Sequence, residues 1–204
     1  MTGYPPPVPP RKKPRKAYHH GDLRPALLAA AVVLIEEGGV AGLSLRECAR
    51  RAGVSHAAPY RHFASKGELL WAIAQEGFAM LAAAGRAAMQ GLSDPDACLD
   101  AYGAAYVRFA FEHPVHHRVM FTSELEPPEG TRPDDAFQLL VDTAAAAAPN
   151  ASPELAALAR WSLPHGLSML ILDRRVPAEV VRSGDDAEKL AREVIAHWRA
   201  TRER

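Results

Sequence analysis

The chain is expected to be all-α: a three-helix unit near the N-terminus followed by a larger helical body, about nine helices in all. Three observations predict this. Apolar residues recur at intervals of three and four along most of the chain, the patterned segments end at Gly, Pro, Asn or Asp, and no stretch alternates apolar with polar residues as a half-buried strand would.

The first segment lies outside this pattern. Met1–Lys16 holds six prolines and the basic run Arg11, Lys12, Lys13, Arg15 and Lys16. Proline at that density excludes helix and packed strand, so residues 1–17 are expected to form a flexible arm. No apolar stretch follows the charges, which excludes a signal peptide. Most basic runs only keep a chain soluble; beside a nucleic-acid reader such an arm adds phosphate contacts or enters the minor groove, and an accessory contact is the expectation here.

Asp22 is placed to cap a helix over Leu23–Glu37, closed by Gly38-Gly39. In the second helix Leu45, Cys48, Ala49 and Ala52 line one face at i, i+3, i+4 and i+7. Ser44 is its N-cap, Glu47 completes a capping box, and Gly53 supplies the left-handed exit. Ser55 is then expected to cap a third helix, with the small Ala49 and Ala52 at a steep crossing and Val54, Tyr60 and Phe63 filling the space beneath. On pattern alone this is equally a generic helical hairpin.

Charge separates the two readings. The whole chain balances 24 basic against 24 acidic residues, but residues 1–66 carry 11 against four, leaving 13 against 20 for the rest. A basic head on an acidic body is the asymmetry expected when one end meets phosphates.

Residues 18–71, YHHGDLR and then GLSLRECARRAGVSHAAPYRHFASKGELLW, closely resemble the DNA-binding domain of the tetracycline-repressor (TetR) family of bacterial transcription regulators. Cap, small residue, turn glycine, Val-Ser, Tyr, His-Phe and Lys all fall at that family's spacing. The resemblance covers about a quarter of the chain and sets the DNA-binding helix-turn-helix domain at 18–66. It implies that His56, Ala57 and Ala58 face base edges in the major groove from the helix that Ser55 begins. Arg46 adds a base or phosphate contact, Ser44, Tyr60, His62 and Lys66 hold the backbone, and Arg61 lies on or near the same surface. Hydroxyl donors, a lysine and a helix N-terminus suit phosphate oxygens. Alanine only touches a thymine methyl, so readout rests on His56, Arg46 and DNA shape. Pro59 stands where the family usually has leucine; as the fourth helical residue it is expected to remove only the first intrahelical bond and leave the helix intact.

The rest, 67–204, is expected to be a helical effector-binding and dimerisation domain. Ser65 caps a helix over Gly67–Met89, Asp94-Pro95 opens one stopped by Pro114, and a short one covers Val115–Glu124. Glu126–Asp134 reads as a Pro/Gly loop, after which come helices over Asp135–Ala148, Pro153–Asp173 and Asp186–Thr201. Tyr102, Tyr106, Phe109, Met120, Phe121, Trp161, His165 and Met169 are candidate lining for a pocket holding an apolar or aromatic small molecule, although core packing is the commoner fate of any one of them. WSLPHG at 161–166 and HPVHHRVMF at 113–121 are similar to the Trp and His-Gly (WHG) type of C-terminal domain found on TetR-like proteins. Pro164 is expected to kink its helix. In that family the last two long helices form a four-helix interface with a second copy, and a two-fold dimer suits a palindromic double-stranded DNA operator.

Other classes find less support. His113, His116 and His117 are interrupted by Pro114, and no Cys or carboxylate completes a ligand set, so they are read as structural, with no metal or cofactor. His19-His20 suits a phosphate contact or helix lead-in. Two distant cysteines, Cys48 and Cys98, fit a reducing cytoplasm. The longest apolar run, Ala26–Ile35, is ten residues, too short for a bilayer. No nucleophile elbow, phosphate loop or HExxH motif argues for an enzyme. The expected function is a ligand-responsive repressor acting as a homodimer, the rival being an architectural DNA-binding protein without effector.

Overall fold

The computed structural model describes residues 23–125 and 135–202. Among them are eight α-helices, two 3₁₀ turns and no strand: α1 (Leu23–Gly38), α2 (Leu45–Arg51), α3 (Lys66–Met89), α4 (Pro95–Glu112), α5 (Pro114–Met120), α6 (Asp135–Ala147), α7 (Pro153–Leu172) and α8 (Gly184–Arg202). The proline-rich arm, the Asp22 cap and the loop over 126–134 lie outside the described residues.

The head forms around α1, whose Leu27, Leu28, Ala31, Leu34 and Ile35 are buried against Leu45, Cys48 and Phe63. Ser44 caps α2 by accepting the Glu47 N–H at 3.2 Å. Glu47 does not close the expected box; its carboxylate takes the Arg50 guanidinium instead. Gly53, at φ 70°, ends the helix, and the Val54 N–H returns to the Ala49 carbonyl at 3.0 Å.

The segment after that turn corrects the sequence reading. Ser55 caps no α-helix: its carbonyl accepts from Ala58 N–H at 3.0 Å in a single turn, and Pro59–Arg61 is a 3₁₀ turn closed by His62 N–H on the Pro59 carbonyl at 2.9 Å. Proline has no N–H for the bond back to Ser55, and in a run of eight residues that bond was the first of very few, so the segment tightens rather than propagates. Pro59 itself is buried, filling the place of a core side chain. Tyr60, expected in that core, is 52% exposed, and Phe63 fills it at 2%.

α3 joins head to body. Ser65 accepts from Glu68 N–H at 3.1 Å while Glu68 accepts from Ala64 N–H at 2.7 Å, a reciprocal cap. Its first turns bury Leu69, Leu70 and Ile73 in the head, and its later ones bury Leu81 and Gly85 in the body. Gly77 and Gly85 set how closely the body approaches. A Cβ at Gly77 would sit 2.6 Å from Met120 Sδ, and one at Gly85 2.5 Å from the Tyr102 ring.

α4 is the axis of the body, buried continuously from Ala101 to Val107 between α3, α6, α7 and α8. α5 ends at Met120, four residues before its expected end. α7 runs unbroken through Pro164, whose ring is buried 3.0 Å from where a Gly103 Cβ would stand.

Candidate DNA-reading surface and effector cavity

The expected DNA contacts divide by environment. Ser44, Arg46, Ser55, His56, Ala57, Tyr60, Arg61 and His62 are exposed along the turn and at the start of α2. Ala58 differs in environment: it is half-buried and packed on the head core, while His56 and Ala57 stand exposed beside it. The Ser44 oxygen is spent on the cap, but its O–H remains a donor. Arg50 and Arg51 are held by Glu47 and Glu37, whereas Arg46 and Arg61 make no ion pair among the described residues. Lys66, at the first turn of α3, places its ammonium 3.1 Å from Glu124 Oε2. Sequence reasoning missed that pair because it spans 58 positions and no local pattern encodes it.

Between α3, α4, α6 and α7 lies a cavity of about 300 Å³ walled by six aromatic rings: Phe78, Tyr102, Tyr106, Phe121, Phe137 and Trp161. Of the eight expected lining residues, Tyr102, Tyr106, Phe121 and Trp161 are present. Phe109 is instead buried against the His113 ring at 5.2 Å. Met120 packs on Gly77, Met169 faces outward at 38% exposure, and His165 stands behind the wall. The residues missed include Phe78, Phe137, Leu140, Leu158, Arg160 and Pro164; of these, only the i, i+3 spacing of Phe137 and Leu140 signalled a shared face.

Behind the wall is a polar cluster. The Tyr106 hydroxyl lies 3.0 Å from His117 Nε2 and 2.7 Å from His165 Nδ1. Burial pushes the Tyr106 hydroxyl well above its ordinary range, partly offset by a hydrogen bond from Trp161. Burial, reinforced by His165 and Arg118, holds His117 down at about 4, and burial lowers His165 as well. Both imidazoles are therefore neutral near pH 7. Arg160, at one corner of the cavity, is paired with Asp96 and Asp100, and Arg199 reaches Asp100 at 2.5 Å. His116 meets Glu76 at 3.7 Å, and no group of three metal-ligating side chains occurs among the described residues.

On the outer side of α7, Leu155, Leu158, Met169 and Leu170 are exposed at 66, 45, 38 and 49%, with Ser162 and Gly166 between them and Leu158 also at the edge of the cavity. This apolar stripe explains why α7 alone among the described helices has the length and mean hydropathy of a membrane span; its other side is packed on α4 and α6.

A helical head with an exposed turn, joined by one long helix to a body that holds a cavity, is the architecture of the helix-turn-helix transcription regulators. Comparison identifies which. Residues 27–73 match the model of bacterial regulatory proteins of the tetR family, and residues 99–198 that of the tetracyclin repressor-like C-terminal domain. The chain belongs to the TetR family of DNA-binding transcriptional regulators. A Rhodococcus sp. RHA1 protein of unknown function is 33% identical, with TM-score 0.69 over 91% of this chain and 98% of that one. A tetR-family regulatory protein from Rhodococcus RHA1 is 23% identical (TM-score 0.58; 84% and 96% covered). The fatty acid degradation regulator FadR from Bacillus halodurans is 16% identical (TM-score 0.64; 90% and 94% covered), a likeness of fold alone. Comparison with curated proteins gives no match.

Proposed function

We propose that this regulator is a ligand-responsive repressor that binds a palindromic double-stranded operator as a homodimer and is released by a small molecule in the aromatic cavity. DNA contacts are assigned to Ser44, Arg46, Ser55, His56, Ala57, Tyr60, Arg61, His62 and Lys66. The boundaries proposed are an arm at 1–17, the DNA-binding domain at 18–66 and the effector and dimerisation domain from 67 onward. The reading needs no cofactor, metal or membrane, and it suits a cytoplasmic protein.

The observation that carries the proposal is a short route between the two sites. Phe121 is a wall of the cavity, its ring 5.4 Å from Trp161. Three residues later Glu124 holds Lys66, at the DNA end of α3. A ligand that repositions Phe121 therefore acts on a proposed phosphate contact, and by linkage DNA must weaken that ligand by the same factor. The test is selection of bound genomic fragments with purified protein, followed by titration of the recovered site. One short palindrome, protected by a dimer and released by a small molecule, is the expected result. Comparable affinity for many unrelated sequences would refute it.

A further inference from the structure

We propose that the cavity selects an uncharged, hydrocarbon-rich ring molecule and rejects the carboxylate and ammonium forms of the same skeleton. The proposal rests on the cavity being the effector site and specifies the class of effector it takes. Size follows from the volume. About 300 Å³ is roughly ten water volumes, which corresponds to on the order of ten to fifteen packed non-hydrogen atoms, one or two fused rings.

Charge selection follows from what the wall has already committed. Arg160 is the one ionised side chain lining the cavity among the described residues, and it faces Asp96 and Asp100, while Arg199 completes Asp100. Among the described residues, two cations and two anions face one another at this corner. An incoming carboxylate must compete with two resident carboxylates for one guanidinium, and an incoming ammonium meets that guanidinium directly. Either ion gives up water for a site with no unmatched counter-charge.

The tyrosines are equally committed. Tyr102 donates to the Ala136 carbonyl at 2.8 Å. For Tyr106 the proton order can be worked out. His117 Nδ1 is buried without a partner, and an orphaned N–H costs more than an orphaned lone pair. His117 therefore carries its proton on Nε2 and donates to Tyr106, which donates in turn to His165 Nδ1. Both tyrosine protons are used before any ligand arrives, so the rings offer faces rather than hydrogen bonds, and those faces favour aromatic and alicyclic carbon.

The test is calorimetric titration of the full-length protein at neutral pH with naphthalene, naphthoate and naphthylmethylammonium. Naphthalene is expected to bind at least ten-fold more tightly than either ion. Equal or tighter binding of an ion, or no binding of naphthalene, overturns the proposal. Arg160→Gln leaves two aspartates facing one arginine, so naphthylmethylammonium should gain relative to naphthalene; an unchanged ratio counts against the charge argument. Should that variant fail to fold, a bromonaphthalene soak of wild-type crystals locates the ring, and a position outside the six-ring wall is equally fatal. Whether bound naphthalene also loosens operator DNA is measured separately, so failure of the repressor reading is not confused with failure of ligand selection.

Discussion

At the scale of single residues, the head shows how a neutral chain presents a charged face. Arg50 and Arg51 are spent on Glu47 and Glu37, while among the described residues Arg46 and Arg61 make no ion pair and stand exposed with the His56 ring on the proposed DNA surface. Tyr60→Phe and Lys66→Ala are expected to weaken all DNA about equally, whereas His56→Ala should change sequence preference. Binding titrations on specific and random duplexes separate the two behaviours, and parallel losses for all three variants reject the assignment. The body carries a residue with a different consequence. His117 is 1% exposed and held at about 4, below its ordinary value, so the unfolded chain takes up a proton before the folded one does. Its contribution to stability is complete above about pH 6.5 and is lost as pH falls toward 4. Thermal unfolding across that window should show a falling Tm, and His117→Phe should flatten its share of the slope; an unchanged slope would remove His117 as the source. The sequence marked His117 as structural, but its partners, Tyr106 and His165, are 11 and 48 positions away and no spacing rule connects them.

Among the elements, those governed by local chemistry were legible and those governed by distant packing were not. Caps at Ser44, Ser65 and Asp94 and the exit at Gly53 mark their helices because each acts within three or four residues. The third helix of the head failed for an equally local reason: Pro59 takes away a bond that a run from Ser55 to Phe63 is too short to lose. The cavity was half legible. Tyr102, Tyr106, Phe121 and Trp161 stand out by type, whereas Phe78, Phe137 and Arg160 enter only because α3, α6 and α7 converge on α4. The segment from Phe121 to Leu125 is the least legible and the most consequential, since it ties the cavity wall to α3 through Glu124 and Lys66. While that pair holds, Lys66 must leave a carboxylate to reach a phosphate. Glu124→Gln is therefore expected to raise DNA affinity roughly two- to five-fold at low salt, the scale of an exposed ion pair. The gain should fade as salt screens the interaction. Fluorescence anisotropy at several salt concentrations checks this, and affinity equal to wild type at every concentration would show that the pair does not compete with DNA.

For the whole molecule, the proposed operator reading depends on two copies acting together. The exposed turn spans only a few residues, too little for specific binding by one copy, whereas two copies about 34 to 36 Å apart match successive major grooves. The surface best suited to hold them is the outer side of α7, where Leu155, Leu158, Ser162, Gly166, Met169 and Leu170 follow one another at intervals of three, four, four, three and one. That spacing makes a continuous helical seam, and Gly166, with nothing within 4 Å of an added Cβ, leaves room for a second backbone to approach. α8, which packs on α4 and also touches α7, has a strongly amphipathic sequence. An aspartate at Leu155 or Leu170 would place a charge in the seam without disturbing the fold, because both side chains already face outward. Light scattering should then report a monomer with unchanged helical content. Operator affinity should fall by more than a hundred-fold while weak binding to random duplex persists, since each head keeps its own phosphate contacts. A variant that stays dimeric, or a monomer that binds the operator as tightly as wild type, would place the twofold axis elsewhere.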